Sequence, residues 1–372
     1  MKIIVQQKEL AIAVKLLQRV LPRKNSNPVL TMIQLQLKAG LLLLRSTDLM
    51  TSLELVIPAQ STSDEGEWLL SGKIFSESVL MLDSGETSLE FEEERLVMKN
   101  GTDRVVISLM KEGDFPKMAE MTAEGEKMEV KVIQEIADKV VFATSTDISR
   151  PQLTGVDLRF NADKLNMVGT DGFRLSILEL ENFSNNLTAG EEILVAARSI
   201  SDLLAIAGAF DLKKVELKYD EEEKRLMFCG DEFTYQASLI GAAFPPYERI
   251  IPLEFQTEIE LNREELLQIL NKALVFARES SNVVRIDFSS GQQAKIVARG
   301  VSGEYEGEID ILRLIGQGSL IAFNLKYLTD YLNVIESETV WLGMNEVNKP
   351  VLMSEEKNSS LKYIVMPFKA RD

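Results

Sequence analysis

The chain writes one pattern three times. An apolar strand, a short polar turn and an amphipathic helix open at Met1 to Leu21, again at Met128 to Ser145, and again at Glu258 to Ala277. Three closing segments match as well. Each is a strand ending in an aromatic residue or Met followed by Pro: Phe115-Pro116, Phe244-Pro245 and Met366-Pro367. A period of roughly 125 residues exceeds a solenoid unit of about 20–50 and fits a whole small domain of about 100–150. Each copy must then bury a core of its own. A chain of 372 residues, 45% of them hydrophobic, supplies enough apolar side chains for several.

In copy one, Leu10, Val14, Leu17 and Leu21 recur at helical spacing, and Pro22 ends the run. Strands are predicted at Ile33 to Leu37, Leu41 to Ser46 and Leu53 to Pro58, then at Trp68 to Leu70. A second helix over Lys73 to Met81 and a meander from Thr87 to Leu109 complete the copy. Copy two repeats the order, with helices over Gln134 to Thr144 and Ser199 to Ala207. Copy three does so with helices over Arg263 to Ala277 and Leu325 to Val334. A copy is thus a half-unit of strand, helix and three strands, written twice. Polar links set the expected domains at 1–126, 127–253 and 254–372. The fold class is α+β, with two helices packed on antiparallel sheet in each copy. Three such copies in tandem form a curved layer, which head-to-tail assembly closes into a ring if the rotation per copy allows.

Composition removes several kinds of chemistry. There is no histidine, which excludes Ser-His-Asp and Cys-His nucleophile systems and His-based zinc sites. The single Cys229 excludes an intramolecular disulfide and a thiolate cage, and reads as a small core residue of a reducing cytosol. The N-terminus lacks the apolar region of a signal peptide, and no apolar run approaches about 18 residues, so a cytoplasmic protein without membrane spans is expected. The net charge of −17 argues on its face for solubility and against a nucleic-acid binder. Ser71-Gly72-Lys73 has the look of a phosphate loop. However, Gly66 lies one residue too far upstream, and Ile74 stands where Ser or Thr would hold a metal.

Several strings carry a resemblance. They are Asn27-Pro28-Val29-Leu30, Ser46-Thr47-Asp48-Leu49, and Arg150-Pro151-Gln152-Leu153-Thr154-Gly155-Val156. More specific are Gly169-Thr170-Asp171-Gly172-Phe173-Arg174-Leu175, Phe244-Pro245-Pro246-Tyr247 and Tyr363-Ile364-Val365-Met366-Pro367. In this order, inside a threefold repeat, they resemble the bacterial sliding clamp family, the beta subunit of DNA polymerase III, over essentially the full length. The resemblance implies a head-to-tail homodimeric ring of six clamp domains, with helices lining a hole for duplex DNA. It implies no catalysis, no cofactor and no metal. The expected function is that of a processivity factor, which tethers polymerase subunits, the clamp loader and other proteins bearing a clamp-binding motif.

The resemblance also implies where these contacts fall. The partner-peptide pocket would comprise Arg150, Leu153, Thr170, Gly172, Phe173, Arg174 and Leu175, with Pro245, Arg249 and Ile250, and Val365, Met366, Pro367 and Phe368. Leu and Phe anchors of short peptides would dock there. Phe173 replaces a His, and Ser281 an aromatic residue, found in a family member; Ala370 to Asp372 extend the usual end. DNA would touch Arg23, Lys24, Arg150 and Gln152, with helix cations such as Lys8, Lys15, Arg19 and Arg198 facing the bore. The dimer joint would use Val105 and Ile107 on one side and Val275 and Phe276 on the other. The three copies share a fold, while one junction alone is expected to carry the Thr170 to Leu175 loop.

Two other readings stay open at this point: a phosphate-handling enzyme built on Lys73, and a repeat scaffold that binds peptides without DNA. Taken alone, Asp171-Gly172 is also simply a turn, since Asp-Gly favours positive φ. The apolar joint residues are also simply core.

Overall fold

Six helices and twenty-five strands alternate along the chain among the described residues. The computed structural model describes residues 1–372 apart from 23, 62, 64, 111–113, 120–124, 162, 182, 184–191, 358 and 369–372. The helices are α1 (Gln7–Val20), α2 (Gly72–Met81), α3 (Val130–Lys139), α4 (Ala197–Ala209), α5 (Arg263–Ala277) and α6 (Leu325–Leu332). They fall two to a copy, as the repeat requires.

The helices start and stop for local reasons. Asn262 and Asn324 cap α5 and α6, their side chains accepting from the backbone N–H of Glu265 and Lys326. The first turn of α1 has no such cap; Gln7 N–H instead donates to Gly85 O at 2.8 Å. Its apolar stripe of Leu10, Val14 and Leu17 is fully buried, each side chain contributing about 1.5–3 kcal/mol against exposure. Ser71 caps α2 through Ile74 N–H. A Cβ on Gly72 would lie 2.5 Å from Leu21 Cδ2 and 3.0 Å from Thr31 O, so this glycine lets the start of α2 approach the end of α1 and the Pro28–Thr31 turn. The phosphate-loop look of Ser71-Gly72-Lys73 is therefore a cap and a close contact. α3 begins four residues earlier than expected and stops at Lys139. Val140 leaves helical φ at −125°, and a single 3-10 turn, Val141–Ala143, replaces the rest.

The strands form two antiparallel sheets, and these do not stop at the repeat boundaries. The chain divides into two compact units, Met1–Ile133 with Arg198–Leu239, and Gln134–Ala197 with Ile240–Asp372. The thirteen-stranded sheet lies in the first unit. There the last strand of copy two, Phe233–Ser238, pairs with Thr51–Pro58 of copy one, in register from Phe233 opposite Leu55 to Ala237 opposite Thr51. The twelve-stranded sheet lies in the second unit. There the last strand of copy three, Leu361–Val365, pairs with Arg174–Glu181 of copy two. The closing meanders of copies two and three thus spend their edges on the preceding copy, which removes two exposed strand edges.

Large aromatic side chains anchor each core. Phe75, Phe233 and Tyr235 are fully buried in the first unit; Phe160, Phe288, Phe323, Tyr331 and Tyr363 are in the second. Among the described residues no helix is long and apolar enough to cross a membrane.

Candidate functional site

The Thr170 to Leu175 loop is closed by its own side chains. Thr170 Oγ1 donates to Arg174 O at 2.6 Å and accepts from Gly172 N–H at 3.0 Å. Asp171 Oδ1 accepts from the N–H groups of Phe173 at 2.8 Å and Arg174 at 3.0 Å. Gly172 sits at φ +94°, where a side chain is strained. Gly169 is required by contact, since a Cβ there would lie 2.8 Å from Val140 O. The outcome is that Phe173 projects outward, 58% exposed.

The C-terminal strand continues this loop. Arg174 is opposite Val365 and Leu175 opposite Ile364, and Met366 N–H donates to Phe173 O at 2.9 Å. Phe368 N–H then donates to Ala322 O at 2.7 Å. Met366 remains exposed beside Phe173, and Phe368 is exposed two residues on, while Val365 is buried and Pro367 half-buried. Leu153 is buried and Arg150 exposed. A Cβ on Gly172 would lie 3.6 Å from Arg150 Nη1 and 4.0 Å from Leu153 Cδ1, which places both beside the loop.

Strand alternation splits the side chains between two faces. On one face Leu175 and Ile364 join Val168, Ile177, Phe244, Tyr247, Trp341 and Leu352 in one apolar cluster. Pro245 is half-buried beside it, and the turn Glu248–Ile250 leaves Arg249 and Ile250 exposed. Arg159 fixes that turn, bonding Glu248 and lying 4.8 Å from the Tyr247 ring centroid. Burial pushes the Tyr247 hydroxyl up to about 12, so it stays protonated. Ile364 was not singled out from the sequence. It lies within the C-terminal string, but its role as floor needs the strand register that sets it opposite Leu175.

On the other face Arg174 is nearly enclosed. Its Nε is 3.0 Å from Asp171 Oδ2 and its Nη1 is 2.6 Å from Asp330 Oδ2 on α6. The guanidinium lies 4.5 Å from the Tyr327 ring and 5.7 Å from that of Phe142. Burial works against its charge, yet Tyr363, Asp330 and Asp171 together hold its pKa above the ordinary value. Tyr363 completes the layer, stacked on Tyr331 at 4.7 Å and donating to Tyr327 O at 3.0 Å.

The expectation that one junction alone carries this loop is corrected. Copy one closes Thr47 to Thr51 with the same bonds. Thr47 Oγ1 donates to Thr51 O at 3.0 Å and accepts from Leu49 N–H; Asp48 Oδ1 accepts from Met50 and Thr51 N–H; Ser238 N–H donates to Met50 O. Leu49 takes the glycine position at φ +75°. The surface beside it differs. Where the second unit has Val168, Ile177 and Ile364, the matching positions hold Arg45, Glu54 and Gln236. These three help line a polar cavity of about 980 Å³. Arg45 is paired with Glu54, and Gln236 with the Ala119 backbone. The frame is repeated; the apolar floor is not.

The expected DNA contacts scatter in environment. Lys24 is exposed, Gln152 half-buried, and Arg23 lies outside the described residues. Arg150 is 3.2 Å from Asp147. Arg19 and Arg198, read from the sequence as bore cations, both pair with the buried Asp202. Arg19 Nε lies at 2.7 Å and Arg198 Nε at 3.7 Å, and Arg198 also reaches Asp48 at 3.5 Å. Burial raises the Asp202 pKa, and Arg19 offsets part of that rise. Tyr235 donates to the same carboxylate at 3.3 Å. Asp202→Ala is expected to cost about 1–2 kcal/mol. It strips the acceptor from a buried hydroxyl and from an arginine that still reaches water. A lower urea midpoint with unchanged slope is the readout.

At the expected joint, Val275 is 65% exposed on the last turn of α5. Phe276 is half-buried, its ring covering Gly303 at 3.1 Å from where a Cβ would stand. On the Asp103–Met110 strand, Val105 is half-buried and Ile107 is covered by its own copy. Val106, not singled out from the sequence, is exposed instead, as alternation along the strand dictates. Ile74 and Met81 on α2 are exposed as well and were also missed.

Comparisons with known proteins follow the same three copies. The N-terminal, central and C-terminal domains of the DNA polymerase III beta subunit match residues 1–119, 127–246 and 248–369. The chain is 27% identical to the beta sliding clamp of Synechocystis sp., covering 99% of both, and 26% identical to that of Synechococcus elongatus, covering all of both. It superposes on the DNA polymerase III beta subunit of Thermotoga maritima with a TM-score of 0.90 at 25% identity over the whole of both chains. The Pseudomonas aeruginosa subunit gives the same score, identity and coverage. Matched domain by domain along its length, the chain belongs to the DNA polymerase III beta subunit family, the beta sliding clamps.

Proposed function

We propose that two copies of this chain join head to tail as a ring around duplex DNA. The ring tethers polymerase subunits, a clamp loader and other partners without catalysing a reaction. The observation that carries this reading is the match of three clamp domains in order, over nearly every residue. The domain limits are read as 1–126, 127–253 and 254–372. A ring that serves chromosomal DNA works in the cytoplasm.

Two open strand edges support the dimer. Among the described residues, Asp103 to Ser108 pair only with Arg95–Asn100, and Gly303 to Asp310 only with Gln293–Gly300. Joining the first edge to the second edge of another copy closes a ring of two and leaves neither exposed. Exposed apolar side chains sit near each edge: Ile74, Met81 and Val106 at one, Val275 and Val301 at the other.

The net charge of −17 is compatible with DNA in the hole. Charges more than about 10 Å from the duplex are screened at 0.1 M salt. Lys24, Arg150 and Gln152, with Arg23, supply few and loose contacts, which suits sliding, since each phosphate contact adds affinity. Partner peptides dock on the exposed rim of Phe173, Ile250, Met366 and Phe368 over the Leu175–Ile364 floor.

Native mass and retention on DNA test the reading together. A species of about twice 41.7 kDa that stays on nicked circular DNA and leaves linearised DNA is expected. A monomer at micromolar concentration, or equal retention on both forms, sinks it.

A further inference from the structure

We infer that Asp330 is a positioning residue for partner docking: through Arg174 it holds the Phe173–Met366 rim in place from α6, without touching the peptide. This rests on the reading of that rim as the docking surface. The geometry is a chain of bonds. Asp171 caps the loop through the N–H groups of Phe173 and Arg174, and its other oxygen takes Arg174 Nε at 3.0 Å. Arg174 then reaches Asp330 Oδ2 at 2.6 Å, and its guanidinium lies over Tyr327, three residues earlier on the same helix. Phe173 is the residue just before Arg174, and its carbonyl holds Met366. Both exposed anchors therefore hang from one guanidinium whose far partner is Asp330.

The first unit shows what is particular here. Its matching carboxylates, Asp48 and Asp202, are also bridged by an arginine, but that arginine is Arg198, on the helix. The loop position matching Arg174 is Thr51, whose hydroxyl does not span that gap. An inter-copy staple is thus common to both junctions. Only in the second does the bridging cation belong to the loop that carries the exposed aromatic ring. Loss of charge at Asp330 should therefore loosen the docking rim, whereas loss at Asp202 should loosen only its own junction.

The experiment is a titration of the full-length protein with a fluorescein-labelled hexapeptide bearing Leu and Phe anchors, followed by anisotropy. Asp330→Asn is expected to weaken binding about five- to tenfold, through loss of a charged hydrogen bond. Asp330→Glu should recover most of that loss. Tyr327→Leu, which keeps the ion pair and removes the ring beneath it, gives a second and milder step of about two- to threefold. Asp202→Asn serves as the control and should stay within twofold of the parent, even if its melting temperature falls as far. Phe173→Ala tests the docking reading itself. If Phe173→Ala abolishes binding while Asp330→Asn stays within twofold, the positioning role is wrong and the pocket stands. Equal losses in Asp330→Asn and Asp202→Asn mean general loosening and overturn the proposal as well. No loss in Phe173→Ala removes the docking surface and the proposal with it.

Discussion

Val275→Arg turns the ring into monomers. Val275 is 65% exposed in the single chain, so the substitution removes little from its own core. It lies on the last turn of α5, where the helix dipole favours a cation, so folding is spared. On the proposed joint the same position faces the apolar side chains of another copy. Losing the valine removes about 1.5–3 kcal/mol of burial, and an unpaired guanidinium in that seam adds several more. Two equivalent seams close a ring, and both carry the change. At about 3 kcal/mol per seam, the two seams together lose about 6 kcal/mol, so dimerisation is expected to weaken about ten-thousandfold. Sedimentation should show a species of 41.7 kDa, and retention on circular DNA should vanish with it. An intact dimer would move the joint away from α5.

Much of the architecture was legible because each half-unit carries its own hydrophobic period. Six helices and the order of the strands follow from that pattern and from turn residues alone. Strand pairing between copies was less legible. Which meander gives its last strand to which copy depends on register, and register is set by contacts far apart in sequence. That is why Leu175 could be named and Ile364, its cross-strand partner, could not. Asp330 was invisible for the same reason, since it meets Arg174 across 156 residues. The partner of two helix cations was also not legible: Asp202, buried between Arg19 and Arg198, is placed there only by the fold. The repeat also hid a difference. Thr47 to Thr51 and Thr170 to Arg174 fold alike, yet a polar floor of Arg45, Glu54 and Gln236 lies beside one and an apolar floor beside the other.

That contrast sets the second large effect. Phe173→Ala combined with Met366→Ala is expected to weaken partner-peptide binding about a hundredfold or more and to leave the ring intact. Both side chains are exposed, Phe173 at 58% and Met366 at 37%, so their loss opens no large cavity in the fold. Their backbone positions are held by other groups, the Asp171 carboxylate and the Met366 N–H bond to Phe173 O, which the substitutions keep. What they lose is contact area presented to a ligand. An aromatic anchor at the centre of a docking site is worth about 2 kcal/mol or more, and a methionine adds an adaptable surface beside it. On the proposed docking surface the two would touch one ligand, so their effects need not add. The matching change in copy one, Met50→Ala, also removes an exposed apolar side chain, 60% exposed. Beside a floor of paired polar groups it is expected to shift peptide affinity by less than twofold. Binding that survives the Phe173 and Met366 pair but fails with Met50→Ala would place the partner site at the other junction.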